Sequence, residues 1–76
     1  MPRFYFDVHD GVDICDEVGR ELPDRAAVRE EALGVAIKLL AAEAAEAKEM
    51  TLILTVRDQS GATPLKIRLV SQIEEG

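Results

Sequence analysis

Apolar and polar residues alternate one for one near the start of the chain. Phe4, Phe6 and Val8 fall on one face, and Arg3, Tyr5 and Asp7 on the other. That is the period of a half-buried strand. Asp10-Gly11 marks a hairpin turn, and the register selects its length. A two-residue loop pairs His9 with Val12 and mixes the faces. A three-residue loop of His9, Asp10 and Gly11 pairs Val8 with Val12, Phe6 with Ile14 and Asp7 with Asp13. It keeps the apolar residues together and puts Gly11 where a type I turn with a bulge needs a left-handed residue. The second strand is therefore expected over about 12–16, with Asp16 to Gly19 a turn and Arg20 to Pro23 a connection.

The period then becomes helical. Asp24 is a candidate N-cap after Pro23, and residues 25 to about 48 are almost all helix formers. Val28, Ala32, Val35, Ala36, Leu39 and Ala42 form one stripe, and Leu33, Ile37 and Leu40 widen it beyond half the circumference. One sheet face needs a narrower stripe than that. Alternation returns from Met50 to Arg57, with Leu52, Leu54 and Val56 inward and Thr51, Ile53, Thr55 and Arg57 outward. Asp58 to Gly61 is turn chemistry. The last strand is expected over 63–70, with Leu65, Ile67 and Leu69 inward, Lys66, Arg68 and Val70 outward, and Pro64 at its start, which suits an edge strand. Residues 71–76 read as a flexible tail behind one domain spanning 1–70.

These elements predict an α+β fold in the order ββαββ. The strand–helix–strand crossover lets the third strand lie antiparallel beside the first. The expected result is a four-stranded antiparallel sheet of order 2-1-3-4, with one helix on one face. The other face stays open, and any binding function belongs there or on the edges.

Composition narrows the classes. A chain of 76 residues is near the lower limit for a self-stabilised domain, and its single cysteine, Cys15, cannot form an internal disulfide. A lone thiol, no basic start followed by an apolar run and no long apolar segment point to a cytoplasmic protein without a membrane span. Fifteen acids against nine bases give a net charge of −6, which disfavours a nucleic-acid partner.

The open face carries the candidate residues: Arg3, Tyr5, Asp7, His9, Ile53, Arg57, Lys66 and Arg68. In the chosen register it is acidic near the first hairpin and basic at the far end, where Arg3, Arg57 and Lys66 come together. Asp7, His9, Asp10 and Asp13 suggest a cation site, but their spacing follows no known ligand pattern. His9 could act as a general base, yet no nucleophile accompanies it, so the expectation is no enzyme activity, no cofactor and no metal. Tyr5 with the basic residues is similar to RNA-stacking sheets, which use two or more aromatics where this face has one. Protein contact fits better. Ile53 and Val70 are apolar residues on the outer face, the helical arc is too wide and both sheet edges are free. The expected partner is another protein or a second copy of the chain.

The blocks Met1-Pro2-Arg3, Phe6-Asp7, Asp10-Gly11, Asp16 with Gly19, Glu21 to Asp24, and Arg57-Asp58 resemble a family of short bacterial hypothetical proteins. That family is a domain of unknown function, and the resemblance covers nearly the whole chain. It implies a fold and no activity. A weaker resemblance is to the partner domain of HicB-type antitoxins, which implies binding of a small toxin by analogy of fold.

Overall fold

A computed structural model describes residues 1–76. The elements are β1 (Arg3–His9), β2 (Asp13–Ile14), β3 (Arg20–Glu21), α1 (Arg25–Ala44), β4 (Glu49–Asp58) and β5 (Leu65–Gln72). All strand pairs are antiparallel, in the order β2-β1-β4-β5, with β3 also paired to β1. The expected α+β class is present. The first edge, however, is two short strands rather than one, so the sheet has five strands.

The alternation places the core. Phe4, Phe6, Leu52, Leu54 and Val56 are buried against Val28, Ala32 and Ala36 of α1. Val8, Leu65, Ile67 and Leu69 are partly buried around them. The Asp24 carboxylate accepts the Ala27 N–H at 2.8 Å, as an N-cap should. Without that acceptor the N–H would be one of the unpaired groups of the first turn.

Helix α1 packs on β4 and β5. Its turns sort by side. Val28, Ala32 and Ala36 face the core, and Gly34, Val35, Lys38 and Leu39 line a groove shared with Arg20 and Leu22 of the β3 segment. At about 100° per residue, Leu33 falls on the flank away from that groove, and Ile37 stands about 180° from Val28 and points away from the sheet. They remain 41% and 52% exposed. Ala42, placed in the core stripe by periodicity, is exposed.

The first hairpin departs from its expected register. Val8 pairs with Ile14 and His9 with Asp13, a shift of two residues from pairing Val8 with Val12 and Phe6 with Ile14. The loop is therefore Asp10-Gly11-Val12, and Gly11 takes a φ of 103°. A two-residue shift preserves face parity, so the apolar pattern could not separate the two registers. What separates them lies downstream. Residues 15–19 leave the ladder, and the chain rejoins β1 only at Arg20 opposite Phe4 and Glu21 opposite Arg3. A continuous strand over 12–16 is not formed.

The far end also differs. β5 reaches Gln72, and the Ile73 N–H donates to the Lys48 carbonyl at 2.8 Å. Residues 71 to 73 are therefore part of the ladder or bonded to it, where a tail was expected from residue 71. The helix ends at Ala44 rather than near Lys48.

Candidate functional site

The open face is organised by the sheet register. Tyr5 lies beside Arg57, Asp7 beside Thr55, and His9 beside Ile53. On the next strand Thr55 pairs with Lys66, Ile53 with Arg68, and Thr51 with Val70. The candidate residues thus share one face, but they do not form one cluster.

Arg57 is the centre of the largest group. Its Nε donates to Asp7 Oδ2 at 2.9 Å, and its Nη2 donates to the Asp16 carbonyl at 3.0 Å. The guanidinium carbon stands 4.7 Å from the Tyr5 ring centroid, a cation–π contact. The Arg57 hydrogen bond holds the Asp7 carboxyl below the usual carboxylate range, against an opposing push from burial. Asp7 Oδ1 also accepts the Asp16 N–H at 2.9 Å.

Asp16 carries this order into the irregular segment. Its Oδ2 accepts the Phe6 N–H at 3.1 Å, a ladder group that β2 and β3 leave without a strand partner. Its Oδ1 accepts the N–H groups of Val18 at 3.0 Å and Gly19 at 3.1 Å. Burial pushes the Asp16 carboxyl up. The N–H groups of Gly19, Phe6 and Val18 together outweigh it, and its pKa lies below the ordinary value. One side chain thereby replaces a missing piece of strand.

Gly19 allows the chain to come this close. Its φ is 73°, and a Cβ there would stand 2.9 Å from both the Phe4 carbonyl oxygen and Tyr5 Cε1. Arg3 closes the segment by donating to the Val18 carbonyl at 2.7 Å and pairing with Glu21 at 3.5 Å. On the inner side Arg20 pairs with Glu31 of the helix and lies over the Phe6 ring at 5.2 Å.

Of the expected group of Arg3, Arg57 and Lys66, the first two donate to the Val18 and Asp16 carbonyls of the irregular segment. Asp7 does not oppose Asp13. The shifted register places Asp13 against His9, 2.7 Å from its Nδ1. The Asp10 carboxyl faces Glu43 and raises the Glu43 pKa above its ordinary value. Asp7 is thus held by Arg57, His9 and Asp13 by each other, and Asp10 faces Glu43, and no three metal-binding side chains converge. Lys66 and Arg68 make no ion pair. Polarity therefore runs across the strands, from Asp13 on the first edge to Lys66 and Arg68 on the last. The pinning role of Asp16 was missed from sequence. Its D-x-x-G spacing signalled a turn but not the contact with Phe6.

The structure defines a small α+β domain with one helix, an antiparallel sheet, and an open face whose charged residues are partly paired among themselves. No helix is long and apolar enough to cross a membrane. The chain belongs to the family of the domain of unknown function DUF6894, whose model matches residues 3–70. No curated protein and no solved structure matches it. The motif residues that carried the resemblance to short bacterial proteins now have structural positions. Arg3, Asp7, Asp16, Gly19, Glu21 and Arg57 tie the first edge of the sheet, and Asp24 caps the helix. Asp58 Oδ1 accepts from the Ser60 N–H at 2.9 Å and the Ala62 N–H at 3.0 Å, closing the β4–β5 turn.

Proposed function

We propose that this domain is non-enzymatic and works through protein contacts, with another chain or with a second copy of itself, on the β5 side of the sheet. The observation that carries this reading is the distribution of unused surface. The polar residues that suggested chemistry are engaged with one another. By contrast, β5 is an edge strand of eight residues with Lys66, Arg68 and Val70 exposed. Ile73, which follows it and donates to the Lys48 carbonyl, is an exposed apolar residue, as is Leu33 on the flank of α1 away from the β3 groove. Apolar residues gathered beside an unpaired strand are a common basis for association.

Stacking of single-stranded RNA is less well supported. The Tyr5 ring already carries the Arg57 guanidinium, and removing it would cost the Asp7 pair. A reducing cytoplasm suits the exposed free thiol of Cys15. The test is the size of the native species. Size exclusion and sedimentation of protein taken directly from its host should give an assembly larger than the 8.3 kDa monomer, either a homodimer or a complex of fixed stoichiometry. An antitoxin-like role would appear as a small basic protein in that complex. A free monomer in the host extract and at tens of micromolar after purification overturns the reading.

A further inference from the structure

We infer that the partner of β5 is β5 of a second copy, joined antiparallel about a two-fold axis through Val70. This deepens the reading above by naming the occupant of that edge. The argument begins with the ladder. The Ile73 N–H points at β4, donating to Lys48 in the same register that pairs Gln72 with Glu49. In an antiparallel ladder the groups alternate in direction. The backbone N–H and C=O of Lys66, Arg68, Val70 and Gln72 therefore point outward from the sheet. No proline or bulge interrupts them.

Only some registers of this edge against itself are compatible with its side chains. Centring the pair on Arg68 sets Arg68 against the partner's Arg68, and like charges directly opposite are destabilising. Centring it on Leu69 sets Val70 against the partner's Arg68 and leaves Lys66 opposite the partner's Gln72. Centring it on Val70 sets Val70 against the partner's Val70, Arg68 against the partner's Gln72, and Lys66 against the partner's Glu74. On the inner face the same register sets Ile67 against the partner's Ile73. Val70 and Ile73, 63% and 45% exposed in the single chain, are both covered. The strand must extend by two residues, a course already begun by the bond from Ile73 to Lys48.

The helix supplies the second half of the interface. Pairing two edge strands about an axis normal to the sheet puts both helices on the same face. Leu33 lies on the flank of α1 away from the β3 groove, so each Leu33 faces its copy across the axis. This accounts for part of the apolar arc that is too wide for one sheet. The product is one continuous sheet with two helices above it and the β2–β3 segments at its outer ends.

Sedimentation equilibrium of the full chain from about 1 to about 500 μM, with circular dichroism on every variant, tests the inference. The wild type should reach twice the 8.3 kDa monomer mass. Val70→Pro removes an N–H that no intrachain ladder bond uses, so it should stay folded and lose association by at least about a hundredfold. Lys66→Glu should weaken the dimer about tenfold, and Lys66→Glu with Glu74→Lys should restore it, since the swap recreates both pairs. A wild type that stays monomeric throughout overturns the inference, while a complex in the host extract would leave the protein-contact reading standing. A dimer indifferent to Val70→Pro and Lys66→Glu overturns β5 pairing and keeps self-association. A double variant no tighter than the single overturns the Val70-centred register.

Discussion

Along the first edge of the sheet the chain leaves β1 after Ile14 and returns to it at Arg20; along β5 it stays in its ladder for eight residues. Both borders carry exposed apolar side chains. Val12, Ile14 and Val18 belong to the first edge, and Val70 and Ile73 to the last. The difference lies in the backbone. At the first edge the Phe6 N–H is taken by the Asp16 carboxylate, and the segment that supplies it is fastened by Arg3, Asp7 and Arg57. A strand arriving there finds two short paired pieces with a knot of side chains between them. At β5 it finds an unbroken row of donors and acceptors. Breaking an edge into short pieces is a known protection against unwanted pairing. Here it is applied to one border only, which directs association to the other.

If the first edge is held as described, its most sensitive point is Gly19. Gly19→Val would need a left-handed backbone at a β-branched residue and would push a Cβ to 2.9 Å from the Phe4 carbonyl oxygen. The expected loss is about 2–4 kcal/mol of unfolding free energy, read from urea denaturation at pH 7. A loss under about 1 kcal/mol would mean that the segment is free to move away from β1.

Asp16→Ala comes next. It leaves the N–H groups of Phe6, Val18 and Gly19 without their acceptor. The expected cost is about 2–3 kcal/mol, because partly buried donors lose a charged partner and regain water incompletely. Hydrogen exchange should show the Phe6 amide losing protection relative to the Leu54 amide. Equal loss at both would mean that Asp16 supports the whole fold rather than the edge.

The acid limb of stability offers a third, smaller effect. Asp7 and Asp16 both have folded-state pKa values below their ordinary value of 3.8. The unfolded chain therefore binds protons first, and stability rises with pH through this window. The contribution is whole above the unfolded value and is lost as pH falls below about 4 through the lower folded values. Asp7→Asn should flatten this slope, because one depressed carboxyl is removed. Urea midpoints between pH 5 and pH 2.5 would report it. A slope unchanged from wild type would contradict the Arg57 pair as its source.

How much of this was legible in the sequence depends on the range of the interaction involved. Strand faces follow from alternation, because Phe4, Phe6 and Val8 keep the same parity whichever register the hairpin takes. The helix start was legible because Asp24 acts within its own first turn. The hairpin register was not, since shifting Ile14 from Phe6 to Val8 changes no face. What decides between them is the reach of Asp16 to the Phe6 N–H and of Arg57 to Asp7, across ten and fifty positions of chain. No local pattern encodes those contacts. Contacts of the same kind occupy Arg3 and Arg57, two of the three residues of the expected basic cluster. Charges were placed on the correct face, but sequence parity does not say which of them satisfy one another. The unused arc of the helix was legible from periodicity, and its exposure at Leu33 and Ile37 needed the structure.

The smallest expected effect is the sharpest contrast between the edges. Arg68→Ala on β5 should alter monomer stability by no more than about 0.5 kcal/mol, measured at about 1 μM where association is weakest. The side chain is exposed and without an ion pair, so its loss leaves no group stranded. Arg57→Ala removes the same residue type from the same face, two strands' width from the first edge rather than on the last. It strips Asp7 of its guanidinium and the Asp16 carbonyl of a donor, and should cost about 1–2 kcal/mol. Running both variants side by side holds side-chain chemistry constant while the edge changes. If Arg68→Ala proves as costly as Arg57→Ala at that dilution, β5 is not a spare border, and its charges serve the monomer.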